Sequence, residues 1–154
     1  MRLLLQRVIR ATVRVEGVVV SSTGRGILIF IAIEKGDSTL LASSAAEKIA
    51  LLRIFPEPGS AKMNLSVTET GGEVLVVSQF TLAASLRRGR RPSFDGAAAP
   101  EIAASLCEAF SAALRSRGVR VATGLFGAAM EVDLVNDGPV TFWLQSTPTG
   151  EFGP

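Results

Sequence analysis

The 154-residue chain contains no histidine and no tyrosine, one tryptophan and one cysteine. Without histidine, every Ser-His-Asp or Cys-His arrangement is excluded, and so is a histidine-ligated zinc site. A single thiol, Cys107, permits no internal disulfide and no multi-cysteine metal site. Its place on an apolar helix face is that of a packed thiol rather than a nucleophile. Long apolar runs are missing too: Ile27 to Ile33 is too short to cross a bilayer. The opening residues Met1 to Arg7 lack the sustained apolar region and small-residue cleavage site of a signal peptide, so a cytoplasmic protein away from membranes is expected. An enzyme of this composition working near neutral pH would need a carboxylate, a lysine, a water network or its substrate as the base.

What is present is apolar. Hydrophobic residues make up 47% of the chain. In so small a domain some of that surface is expected to be covered by another subunit, with a homodimer the economical form. Net charge is only +2, but Arg87, Arg88, Arg90 and Arg91 gather four cations within five positions. Such a cluster either meets phosphates or forms a solvated loop.

The pattern along the chain alternates strands and helices. Thr12, Val13 and Val15, the turn Glu16-Gly17 and Val18 to Val20 predict a β-hairpin within residues 2–20. A buried strand follows at Ile27 to Ile33, then a helix capped by Asp37 or Ser38 and running to about Ile54. Asn64 to Val67 reads as a short strand and Glu73 to Ser78 as a longer one. Residues 83–99 lack periodicity and read as a loop. Pro100 opens a second helix whose face carries Ile102, Leu106, Ala109, Phe110, Ala113 and Leu114, with Gly118 as its stop. Strands are expected at Val119 to Ala122, Met130 to Val135 and Val140 to Leu144. The order predicts one α+β domain, an antiparallel barrel-like sheet carrying two helices, over residues 1–146, with 147–154 a disordered tail.

Two segments could carry chemistry. Ser78-Gln79-Phe80-Thr81 ends a strand with two hydroxyls, an amide and a ring; a turn satisfied by its own polar groups explains it equally. Asn136-Asp137-Gly138-Pro139 reads as a hairpin turn, in which a cis Gly-Pro bond would fix the direction of two carbonyls. Gly124-Leu125-Phe126-Gly127 lacks the lysine and spacing of a phosphate loop.

Taken together, Gln6-Arg7-Val8, Ala50 to Phe55, Lys62 to Ser66, Gly72 to Leu82, Gly89 to Phe94, Phe126 to Ala128 and Val135 to Thr141 resemble the D-aminoacyl-tRNA deacylases. The resemblance is collinear from Met1 to about Gln145. It implies a homodimer of barrel-like subunits that hydrolyses the ester joining a D-amino acid to the 3′-terminal adenosine of tRNA, each subunit lending its Gly-Pro loop to its neighbour. By resemblance, Ser78, Gln79, Phe80 and Thr81 line the catalytic pocket with Phe126 and Met130. Gly138 and Pro139 form a chiral gate, Arg7 holds that loop, and Arg87, Arg88, Arg90 and Arg91 touch the RNA. No cofactor or metal is implied. A gate that only excludes L side chains also admits glycyl-tRNA. The alternatives are a related deacylase with a trans Gly-Pro that acts on small L-aminoacyl-tRNAs, and a non-catalytic tRNA-binding protein.

Overall fold

The computed structural model describes residues 1–87, 89–146 and 152–153. The expected hairpin forms from β1 (Arg2–Val15) and β2 (Val18–Thr23). Glu16 and Gly17 both take positive φ, 52° and 76°, the two-residue geometry that matches the twist of paired strands. β3 (Gly26–Ala32) returns along the first half of β1. Helix α1 (Thr39–Ala50) starts where Ser38 accepts the Leu41 amide and stops short of the predicted end. It carries the chain across to β6 (Glu73–Ser78), which therefore runs parallel to β3.

Between α1 and β6 lie two short strands, β4 (Phe55–Pro56) and β5 (Met63–Leu65), and one helical turn, α2 (Val67–Thr70). A reciprocal Ser66–Glu69 capping box closes α2, holding the Glu69 carboxyl below its ordinary value through the Ser66 backbone amide first. Helix α3 (Pro100–Arg115) leads to β7 (Arg120–Thr123), parallel to β6. The long β8 (Glu131–Ser146) lines the other edge of β1.

With β9 (Phe152–Gly153) at its far edge, the main sheet has seven strands and curls as a half-barrel, in the order β7-β6-β3-β1-β8-β9 with β2 on β1. It is mixed rather than purely antiparallel, because helical crossovers deliver β6 and β7, and it carries a third, short helix. Strand alternation sorts its faces. Leu3, Leu5, Ile27, Ile29, Ile31, Val74 and Val76 pack under α1 and α3. Val8, Leu28, Leu75 and Val77 face the other way, where Phe30, Met130, Val132 and Leu134 remain half-covered. Each fully buried Leu, Ile or Val contributes about 1.5–3 kcal/mol, so the helix-covered face dominates stability. On α3 the buried residues are Leu106, Phe110, Ser111 and Leu114, whereas Ile102 is exposed.

Two expectations are corrected at the C-terminal side. Residues 136–139 are not a hairpin tip but a bulge within the continuous β8. From Gln6 to Val8, β1 advances two residues, while β8 goes from Thr141 back to Asn136, five. The three extra residues leave the ladder, and Gly138 and Pro139 are exposed. In the tail expected to be disordered, Phe152–Gly153 instead pair with Gln145 and Ser146 as β9, because the Phe152 ring is buried. The remaining tail positions, 147–151 and 154, lie outside the described residues.

Candidate functional site

Parallel strands joined by helices leave their carboxyl ends free to receive a ligand. At the carboxyl ends of β3 and β6, where Ile31 pairs with Ser78, the structure opens a pocket of about 500 Å³. Ile31 to Ile33 and Val77 to Phe80 form one side. Ala97, Ala98, Pro100, Ala103 and Cys107 form the second, and Phe126 to Ala128 with Met130 and Val132 the third. The Gln79 amide donates to the Ile31 carbonyl at 2.8 Å, which ends the ladder, and the chain tightens into a 3-10 turn at Phe80–Ala83. Arg2 braces that turn from β1: Nη1 donates to the Leu82 carbonyl at 2.8 Å while Nη2 pairs with Glu34 at 2.9 Å.

The pocket is chemically quiet. Among the described residues Cys107 is its sole titratable lining group, and burial pushes that thiol up to about 12, so it stays protonated at neutral pH. Thr81, just beyond the pocket wall, is exposed, and its hydroxyl is met by the Gln79 side-chain amide, which is no base. The backbone N–H groups of Phe80 and Thr81 open the 3-10 turn and have no acceptor among the described residues. Phe80 is exposed and meets Phe94 edge-on, ring centroids 5.1 Å apart.

The Gly-Pro bulge is built from charge instead. The buried Arg7 guanidinium sends Nε to the Asp137 carbonyl at 3.1 Å and to its carboxylate at 3.0 Å, and Nη1 to the Ile54 carbonyl. On the other side of β1, Gln6 Nε2 donates to Asn136 and Thr141, at 3.4 and 3.5 Å, straddling the bulge. The Gly138–Pro139 peptide is cis. A Cβ at 138 would stand 2.3 Å from the side-chain nitrogen of Asn136, which is exposed and would have to swing aside.

The predicted residues therefore divide into two places. Ser78, Gln79, Phe80, Phe126 and Met130 line one pocket, whereas Thr81, the next residue along, is exposed and outside the lining. Arg7, Gly138 and Pro139 come together elsewhere in the same chain. Arg7 pairs with Ile27, at the beginning of β3, whereas the pocket begins at Ile31 and reaches Ile33. At about 3.3 Å per residue, the two places stand roughly 13–20 Å apart along the strand. Arg87, Arg90 and Arg91 are exposed on a loop closed by paired Ser85 and Ser93; Arg88 lies outside the described residues. The loop leaves the pocket turn and returns to it at Phe94.

Sequence reasoning missed the wall made of Ala97, Ala98 and Ala103, small residues that carry no local signal of lining a cavity. It also missed Arg2, whose pairing partners lie far along the chain. No helix among the described residues is long and apolar enough to cross a membrane.

Comparison with known proteins agrees with this architecture. A protein of Thermomicrobium roseum named D-aminoacyl-tRNA deacylase is 54% identical over 146 residues, which span 95% of this chain and 94% of that protein. One of the same name from Pelobacter propionicus is 54% identical, across 94% of this chain and 99% of its own. Among solved structures, the c-Myc DNA unwinding element binding protein superposes with a TM-score of 0.89 at 37% identity, covering 96% of this chain and 99% of that one. A probable eukaryotic D-amino acid tRNA deacylase shares the fold, with a TM-score of 0.78 at 23% identity, over 92% of this chain and 97% of the other. The family described as D-Tyr-tRNA(Tyr) deacylase matches residues 4–145, and the chain belongs to it.

Proposed function

We propose that the protein is a tRNA-editing hydrolase that cleaves the ester between a D-amino acid, or glycine, and the 3′-terminal adenosine of tRNA. The observation that carries this reading is a pocket with two free backbone amides at its turn and no titratable base in its wall. An aminoacyl ester is already reactive, so its hydrolysis needs orientation and oxyanion stabilisation more than a strong protein base. In the proposed reaction a water oxygen attacks the carbonyl carbon, assisted by the neighbouring ribose 2′-hydroxyl. The N–H groups of Phe80 and Thr81 receive the developing oxyanion. The bond to O3′ then breaks and that oxygen takes the proton. Ser78, Gln79, Phe126 and Met130 shape the space around the aminoacyl group.

The gate comes from a second copy of the chain. Gly138 and Pro139 are too far along β3 to close their own pocket, and the face bearing Phe30, Val132 and Leu134 is left half-covered, as a dimer would require. Inserted from the partner, their carbonyls would clash with an L side chain while meeting the amino group. Arg7 holds that loop. Arg87, Arg88, Arg90 and Arg91 meet the phosphates of the acceptor end. A tRNA substrate places the protein in the cytoplasm. The test is hydrolysis of one tRNA carrying in turn a D-amino acid, its L enantiomer and glycine. Turnover of the D and glycyl esters with the L ester spared is expected; tight tRNA binding without turnover, or preference for the L ester, overturns the reading.

A further inference from the structure

Asp137 stands immediately before Gly138, and one of its carboxylate oxygens faces two guanidiniums. Arg7 Nε lies 3.0 Å from Oδ2, and Arg25 Nη2 lies 3.6 Å from the same atom. The two arginines come from different parts of the sheet, Arg7 from β1 and Arg25 from the turn between β2 and β3. Both bases are firm. Arg7 is buried and also donates to the Ile54 carbonyl. The Arg25 carbonyl accepts the Glu73 amide at 3.1 Å, and next to it a Cβ on Gly26 would come within 1.8 Å of the Glu73 carbonyl oxygen. The backbone there is thus pressed against β6 and cannot drift.

A loop held at one point can pivot about it, whereas a loop held from two separate segments cannot. A gate that works by exclusion sorts substrates only as well as it stays in place, and an ångström of misplacement is costly. We infer that Asp137 is a positioning residue for stereochemical discrimination, clamped between Arg7 and Arg25, and that Arg25 is the second anchor of the gate. The inference rests on the proposed role of Gly138 and Pro139. Arg25 is largely exposed, so its half of the clamp is screened by salt and the weaker of the two.

The test uses the full-length protein with Asp137→Asn, Asp137→Glu and Arg25→Ala, reading kcat/KM for D-, L- and glycyl esters of one tRNA. Using the same tRNA throughout cancels changes in RNA affinity. Asp137→Asn should lower the D-to-L ratio about tenfold, as expected for loss of a charged hydrogen-bond partner. Arg25→Ala should lower it about threefold, the scale of an exposed pair. Asp137→Glu, which keeps the charge, should recover part of the loss. The glycyl-to-D ratio should stay within about twofold, because a gate sorting side chains has none to sort in glycine. Wild-type D-to-L ratios in both Asp137→Asn and Arg25→Ala overturn the inference. Should Asp137→Asn fail to fold, Arg25→Ala decides alone: a lowered ratio supports the clamp and an unchanged one overturns it. A wild-type protein that does not sort D from L refutes the functional reading instead, a result visible before any variant is made.

Discussion

The two ends of β3 are made of different materials. At the carboxyl end, where Ile31 pairs with Ser78, the pocket is formed by mostly apolar, uncharged side chains and backbone, with its shape set by a 3-10 turn. At the amino end, where Ile27 pairs with Arg7, the exposed bulge is held by Arg7, Arg25, Gln6 and Asp137. The pocket needs nothing charged, because its work is to orient a reactive ester. The bulge needs charge, because three residues outside a ladder have lost their backbone partners and must be held by side chains. One end should therefore be sensitive to volume and the other to charge.

Four substitutions press on that contrast, from the largest expected effect downward. Ala103→Phe places a ring in the pocket from α3 and should lower kcat/KM for the D ester by roughly 100-fold through lost positioning. Circular dichroism should show an intact fold, and full activity in this variant would mean that the pocket is not the site. Arg7→Leu removes a buried cation, strands the Ile54 carbonyl and leaves Asp137 with Arg25 alone. Leaving the buried Ile54 carbonyl without its donor costs about 1–3 kcal/mol, and the melting temperature should fall by roughly 5 °C, with stereochemical selectivity lost in whatever remains folded. A leucine variant as stable and selective as wild type would remove charge from the account of the bulge.

The third concerns acid. The Glu73 carboxyl, near the bulge end, is held below its ordinary value of 4.5 by the Gly24 amide first, then by the Thr23 hydroxyl and Arg120. A carboxyl lowered in the folded state contributes stability that is present above its unfolded value and lost as pH falls through the folded one. Acid unfolding below about pH 4.5 should accordingly be shallower in Glu73→Gln. The same slope in both proteins would show that Glu73 does not contribute. Smallest of all, Thr81→Ala should change kcat by no more than about threefold, since only an exposed hydrogen bond to Gln79 is lost. Abolished turnover, with an acyl-enzyme trapped in the wild type, would make Thr81 the nucleophile.

The pocket end was the more legible of the two from sequence. The run Val74 to Val77 breaking into Ser78-Gln79-Phe80-Thr81 announces a strand that ends in a turn, and Pro100 announces the helix that walls it. Local signals sufficed there because the elements are local. The bulge end reads from sequence as a hairpin, since Asn136 to Pro139 has turn chemistry whether or not the flanking strands pair with each other. Both flanks pair with β1 instead, a register that only the folded sheet reveals. The parallel placement of β6 was hidden for the same reason: alternation gives the faces of a strand, not its direction. Ser66 and Glu69 spell a capping box, but the strand signal of Asn64 to Val67 overlaps it and α2 is a single turn. Ile102 follows the helical period of α3 yet stays exposed, since the period marks a stripe and not its width. Composition places Phe152 in a tail, because composition does not register one buried ring.

The central claim is that one working site combines the pocket of one chain with the bulge of another. A mixed dimer tests it most directly. One chain carries Ala103→Phe, which blocks its pocket; the other lacks Gly138 and Pro139, which removes its gate. If the site is shared between chains, the mixed dimer holds one intact pocket facing one intact gate, and it should recover about half of the wild-type D-ester activity with the L ester still spared. If each chain completes its own site, the single open pocket has no gate, and the mixed dimer will hydrolyse D and L esters alike.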